Sequence, residues 1–288
     1  MIDTNQFKEY FFNNFGVSIA NNIEENTDVF VTSIYSTNMD NVLFDKSKVN
    51  ILICIENIKN KKFSHYTHYN KFGEYGDPRI NIYVYNHIDK IKQTSSYLAI
   101  PCVYFRIDYF KLKYDYYFNH PNLNTSYSDK KLCLMINKSN INPLINMFVK
   151  KLKQIGDVDH ISLHNNKILK KSCYNSIELL EVFNQYKFIL CVENSYCDGY
   201  ITEKIFNVFF SKSIPIYSGS SKSNYFFNEN SFINILDDKI EDCMDTIKKI
   251  NADEKLYNEY INSCKISAEY DDEKYKEKMS SIIHNLCK

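Results

Sequence analysis

Residues 186–219 read YKFILCVENSYCDGYITEKIFNVFFSKSIPIYSG. The run 188–192 is short and apolar, the pattern of a strand buried on both faces. Glu193-Asn194-Ser195 breaks it with polar residues, and Asp198-Gly199 is a turn signal. Ile201, Ile205, Val208 and Phe209 then fall at the i, i+4, i+7, i+8 spacing of an amphipathic helix that starts near Thr202. Ile214-Pro215-Ile216-Tyr217 returns as a strand, closed by Gly219. Strand, helix and strand of these lengths predict a right-handed βαβ unit in a parallel sheet.

That unit places a ligand site. In open α/β sheets ligands bind outside the carboxyl ends of the strands, where a helix N-terminus offers unpaired N–H groups. The segment 193–202 occupies that position. It and the helix start carry Glu193, Asn194, Ser195, Tyr200, Glu203 and Lys204. A lysine in a first helical turn opposes the helix dipole, which makes sense if it faces an anion such as a diphosphate. A neighbouring carboxylate can accept hydrogen bonds from adjacent sugar hydroxyls. The pair suits a nucleotide sugar, although the residues alone also allow a solvated helix start.

The same residues resemble the α-1,3-fucosyltransferases of bacterial and animal type, glycosyltransferase family 10. The family words YKF-x-L-x-F-E-N-S, Y-V-T-E-K and I-P-I/V-x-x-G correspond to Tyr186-Lys187-Phe188, Glu193-Asn194-Ser195, Tyr200-Ile201-Thr202-Glu203-Lys204, and Ile214-Pro215-Ile216 with Gly219. Phe227-Asn228 and Ser231-Phe232-Ile233-Asn234 continue the likeness. It is clear over the last half of the chain and faint over the first.

The resemblance implies an α/β protein of the GT-B class, two Rossmann-like domains facing a central cleft. Residues 1–125 would bind the acceptor. Residues 126–288 would bind the nucleotide sugar, with a terminal helix packing back on the first domain. It implies inverting transfer of L-fucose from GDP-fucose to a glycan hydroxyl. In this scheme Lys204 neutralises the leaving diphosphate and Glu203 holds donor hydroxyls. Asn194, Tyr200, Glu193 and Ser195 belong to the donor site. No metal or other cofactor is expected, since the family does not use a metal held by Asp-x-Asp.

Two departures bear on the donor. Where the family has P-x-R-N-x-F, with an arginine for the diphosphate, this chain has Pro143-Leu144-Ile145-Asn146-Met147-Phe148. Isoleucine cannot replace a guanidinium fork. Losing one charge-assisted contact costs on the order of 1.5–3 kcal/mol, roughly ten- to a hundredfold in affinity. Lys138 or Lys150 could substitute, or the donor could differ. Ala99 likewise stands where the family's Y-L-R-x-P segment has arginine. A same-fold transferase for another nucleotide sugar, or an inactive glycan- or nucleotide-binding relative, are the alternatives.

Upstream, 49–57 reads VNILICIEN, an apolar strand ending in Glu56-Asn57. A carboxylate at a strand's carboxyl end can cap the following turn. The resemblance instead makes Glu56 the base for the acceptor hydroxyl, a function typically worth about 10²–10⁴ in rate. Residues 59–76 are rich in lysine, histidine and aromatics, and suit an acceptor-facing surface better than a His65/His68 metal site. A helix is expected at 7–15, strands at 28–34 and 82–85, and a turn-rich linker over 106–131. Beyond it, strands are expected at 131–137 and 160–164 and helices at 145–154 and 176–186. Further helices follow at 240–250 and 256–264, and one in the tail.

The totals fit an enzyme of this size. In 288 residues, 44% are hydrophobic and 24% charged, enough for packed cores. Zero net charge and a pI near 7.0 argue against nucleic acid as a partner. Nine cysteines show no framework spacing and suit reduced thiols. No run of about 18 apolar residues marks a transmembrane segment. A cytoplasmic protein, or the soluble catalytic part of a larger one, is expected.

Overall fold

A computed structural model describes residues 12–14, 16, 19–20, 29–33, 49–54, 80–85, 92–94, 98–137, 143–162, 176–196, 198–235 and 239–286. Glu56, His65, His68 and Lys138 lie outside them, as do most of the 7–15 helix and the loop 138–142. The chain divides into two compact units: 1–109 with 197–200 and 271–288, and 110–196 with 201–270. This division assigns 110–125 to the second unit.

The first unit holds a six-stranded sheet. Its strands are β1 (Ile19–Ala20), β2 (Val29–Ser33), β3 (Val49–Cys54), β4 (Ile82–Tyr85), β5 (Lys92–Gln93) and β6 (Leu98–Pro101). Their order is β1-β2-β3-β4-β6-β5, and only the β5–β6 pair is antiparallel. Ile51, Leu52, Ile82, Val84, Leu98 and Ile100 are buried, as parallel strands covered on both faces require.

Helix α1 (Val103–Phe118) leaves β6 and carries the chain from the first unit into the second. It overturns the expected linker over 106–118, while 119–130 holds only turns and one short 3-10 turn at Tyr127–Asp129. The stretch VYFRIDYFKLKYDYYF contains no proline or glycine to stop a helix, but its aromatics are spread around the axis. No single stripe marks it in the sequence. Turn chemistry begins only at His120-Pro121, after the helix has ended.

The second unit holds β7 (Lys131–Asn137), α2 (Pro143–Leu152), β8 (Val158–Ser162), α3 (Ile177–Asn184), β9 (Tyr186–Val192), α4 (Glu203–Phe210) and β10 (Ile214–Ser218). After these come α5 (Ser223–Phe226), β11 (Ile233–Asn234), α6 (Ile240–Ala252) and α7 (Glu254–Asn262). Its five strands are all parallel in the order β11-β10-β9-β7-β8. Counted from the start of the unit this is a 2-1-3-4-5 doubly wound sheet, whose direction of winding reverses between β7 and β9.

The alternation of side chains along the strands explains the layers. Phe188 and Leu190 of β9, with Ile214 and Ile216 of β10, join one core cluster. Ile145, Phe148 and Leu152 of α2 and Met244 and Ile247 of α6 belong to it too. The intervening Ile189, Cys191 and Tyr217 turn to the other face, where α4 packs on β9 and β10. There Phe110 of α1 meets Phe206, Phe209 and Phe210 at ring-centre distances of 5.5, 5.8 and 5.0 Å. Ser176 caps α3 by accepting the Leu179 N–H, and Asp253 caps α7.

The last helix, α8 (Glu273–Leu286), belongs to the first unit and touches β6. Tyr275 is fully buried, stacks edge-on against Tyr104 at 4.6 Å and donates its hydroxyl to Asp108. Lys276 bridges Asp108 and Asp272 at 3.6 and 3.4 Å. Among the described residues, no helix is long and apolar enough to cross a membrane.

Candidate functional site

In the second sheet the winding reverses between β7 and β9, and doubly wound sheets bind ligands at the carboxyl edge of such a reversal. The segment 193–202 leaves β9 at that edge, and 219–222 leaves neighbouring β10, whose Ser218 pairs with Val192.

Glu193 is the first residue beyond β9. Its N–H still donates to the Ser218 carbonyl at 2.9 Å, so the backbone stays in register with β10. Its side chain is 0% exposed. One carboxylate oxygen accepts the Thr202 N–H at 2.8 Å and the other the Thr202 hydroxyl at 2.8 Å. Thr202 occupies the N-cap position of α4 without capping it through its own side chain. Glu193 thus ties the end of the strand to the start of the helix and fixes both ends of the intervening loop.

Lys204, in the first turn of α4, folds back toward β9. Its ammonium donates to the Val192 carbonyl at 2.5 Å and to Asn194 Oδ1 at 3.1 Å, and lies 3.4 Å from Glu193 Oε2. The lysine side chain keeps 22% of its surface exposed. The cation is therefore held at the carboxyl end of β9 by one fixed carbonyl, one buried carboxylate and one surface amide.

Gly219 makes room for this arrangement. A Cβ there would lie 2.4 Å from the Tyr217 hydroxyl and 2.6 Å from Glu193 Cγ. Tyr217 is itself fully buried, and its hydroxyl receives the Ser220 N–H at 3.4 Å. Burial, and then the negative charge of Glu193, hold the Tyr217 phenol well above its ordinary range, so it stays protonated. Gly199 meets a different demand: at φ 77° it turns the loop in a conformation that side-chain-bearing residues avoid.

The structure thus brings Glu193, Asn194 and Lys204 together. Asn194 is exposed, Ser195 and Glu203 are half-buried, and Tyr200 is buried. Ile145 is 0% exposed in the core cluster. Lys150 stands in the last turn of α2. That helix follows β7, so its last turn lies at the sheet edge opposite the site, and Lys150 is not a substitute for an arginine there. Thr202, Tyr217 and Gly219 were not singled out from sequence as site residues. Among the described residues, no cluster of three or more His, Cys, Asp or Glu is gathered to hold a metal.

The family description "Glycosyltransferase family 10 (fucosyltransferase) C-term" matches residues 125–288, more than half of the chain and all of the site just described. The chain belongs to glycosyltransferase family 10. Its similarity to the alpha-(1,3)-fucosyltransferase FucT of Helicobacter pylori is 30% identity over 210 residues, covering 62% of this chain and 43% of that protein. The mouse 4-galactosyl-N-acetylglucosaminide 3-alpha-L-fucosyltransferase 9 is 34% identical over 91 residues, 31% of this chain and 25% of that one. These matches span less than half the length of either curated relative.

Family membership agrees with the fold. A crystal structure of an α1,3-fucosyltransferase superposes with a TM-score of 0.60 at 19% identity, covering 98% of this chain and 86% of the other. An α1,3-fucosyltransferase solved with GDP-fucose gives 0.56 at 19% identity, over 92% and 80% of the two chains. The family 10 chain is an α/β protein of the GT-B class, each unit built on a largely or wholly parallel sheet.

Proposed function

We propose that this family 10 chain transfers L-fucose from GDP-fucose to a hydroxyl of a glycan, with inversion at the sugar carbon. The observation that carries the reading is the Lys204 ammonium, pinned at the reversal point of a doubly wound sheet at 2.5 Å from the Val192 carbonyl. A fixed cation at that edge, beside the N-terminus of α4, suits the diphosphate of an activated sugar.

In this mechanism the acceptor oxygen attacks the anomeric carbon of the donor. The bond from that carbon to the diphosphate oxygen breaks, and GDP leaves with the electron pair. Lys204 stabilises the charge that grows on the leaving oxygens. Glu203 accepts hydrogen bonds from donor hydroxyls, the ribose first among them. Asn194, Ser195 and Tyr200 line the donor pocket, with Glu193 behind them. Glu56, two residues beyond the end of β3, takes the acceptor proton. No metal is assigned a part.

Ile145 favours a second reading, a same-fold transferase for another nucleotide sugar. A core isoleucine offers nothing to a guanosine diphosphate where the family resemblance expects an arginine. A panel of nucleotide sugars read by nucleoside diphosphate release separates the two. Release from GDP-fucose alone supports fucosyl transfer, and release from a different donor alone supports the second. Release from none leaves a non-catalytic binder.

A further inference from the structure

We infer that Glu193 is a positioning residue, which orients Lys204 and the start of α4 without touching the donor, and that a diphosphate displaces the Asn194 amide oxygen from Lys204. The inference rests on the donor-site reading above.

Glu193 turns all of its acceptor capacity inward. Its side chain is 0% exposed, its two oxygens take the Thr202 N–H and hydroxyl at 2.8 Å each, and the second also faces Lys204 at 3.4 Å. The wall behind it is closed, since a Cβ on Gly219 would stand only 2.6 Å from Glu193 Cγ. No edge of the carboxylate is left for a ribose or a sugar. What it sets is the position of the ammonium.

The three partners of that ammonium differ in how readily they exchange. The Val192 carbonyl is strand backbone and Glu193 is buried. Asn194 is exposed on the loop, and its neutral amide oxygen at 3.1 Å makes a weaker acceptor than a phosphate oxygen. An arriving diphosphate therefore takes the place of Asn194, while Val192 and Glu193 keep the lysine aimed. Between donors the same three groups hold the cation still, so little reorganisation accompanies binding.

A double-mutant cycle on GDP affinity, measured by calorimetry on the full chain, tests this. In Glu193→Gln the Thr202 N–H selects the amide oxygen, which sets the amide NH2 against the Lys204 ammonium, donor to donor. Glu193→Gln is expected to weaken GDP binding about tenfold with Lys204 present, and less than about twofold in a Lys204→Ala background. A merely structural Glu193, or one that contacts the donor directly, gives equal losses in both backgrounds and overturns the inference. Unchanged or tighter binding in Glu193→Gln overturns it too, because the carboxylate would then act as a brake on the cation. Unfolding midpoints of all four proteins identify any loss of fold. A wild-type chain with no affinity for GDP removes the GDP-fucose reading and this inference together, whereas additivity on top of wild-type binding removes this inference alone.

Discussion

Replacing Gly219 by alanine perturbs the candidate site through Tyr217 and Glu193, without touching Lys204. The new methyl would stand 2.4 Å from the Tyr217 hydroxyl, 2.6 Å from Glu193 Cγ and 2.7 Å from Tyr217 Cζ. To restore an ordinary contact of about 3.4 Å the phenol must retreat by about 1 Å. It has nowhere to go, because Tyr217 is 0% exposed and the Glu193 side chain is 0% exposed. Overpacking of this kind costs about 1–3 kcal/mol. Pushing Glu193 off Thr202 adds about 1–3 kcal/mol for the unsatisfied buried acceptor. At roughly 2–4 °C per kcal/mol the unfolding midpoint should fall by roughly 4–24 °C. Tyrosine fluorescence can follow it, since the chain has 24 tyrosines and no tryptophan. GDP affinity should fall as well, because the displaced carboxylate no longer aims Lys204. A Gly219→Ala protein with an unshifted midpoint and wild-type GDP affinity would refute the tight packing on which the account of this site stands.

Three further outcomes are expected. Glu56→Gln should lower transfer by about 10²–10⁴ with GDP affinity retained, and wild-type turnover would remove Glu56 as the base. Ile145→Ala should cost about 2–5 kcal/mol of stability in a denaturant titration and leave GDP affinity unaltered, since Ile145 packs in the core; a change in affinity alone would make it a site residue. Lys130 and Lys265 are buried and donate to carbonyls at helix ends, Lys130 at Asn184 and Lys265 at Tyr260 and Ile261. Burial lowers each from the ordinary 10.5 to about 7. Between those values the unfolded chain binds more protons than the folded one, so these sites make stability rise from pH 7 toward 10.5 and contribute no slope below 7, where both states are protonated. Lys130→Met and Lys265→Met should each flatten that slope, as read from unfolding midpoints across the window; an unchanged slope would place the protonation elsewhere.

Much of the second unit was legible in the sequence because its signals are local. An apolar run at 188–192, a stripe through Ile205, Val208 and Phe209, and Ile214 to Tyr217 each state their own period. The strand order was not legible. Nothing in residues 131–137 announces that β7 lies between β8 and β9, because pairing is a long-range outcome of which faces must be covered. Helix α1 was hidden by composition: Tyr104, Phe105 and Phe110 are buried but Tyr116 is exposed, so its aromatics give no single stripe. Ile145 could be aligned with an arginine by its neighbours, but only the packing of α2 shows it pointing into the core.

The site was legible in part for the same reason. The polar break after a buried strand located the loop, and its first-turn lysine suggested an anion. Glu193 looked no different in sequence from Asn194 and Ser195, yet its carboxylate is the buried member that ties strand to helix. The one hint was Gly219, a glycine closing the neighbouring strand, whose missing side chain leaves space for Glu193 and Tyr217. Tyr217 itself reads as one more strand aromatic.

The central claim is that the loop from β9 to α4 cradles the diphosphate of a nucleotide sugar. A crystal of the protein soaked with GDP tests it most directly. The account predicts a phosphate oxygen at about 2.7–2.9 Å from Lys204 Nζ, in place of the Asn194 amide oxygen, with Glu193 still bound to Thr202. GDP seated away from the carboxyl ends of β7 and β9, with the Lys204 to Asn194 bond intact, would contradict it.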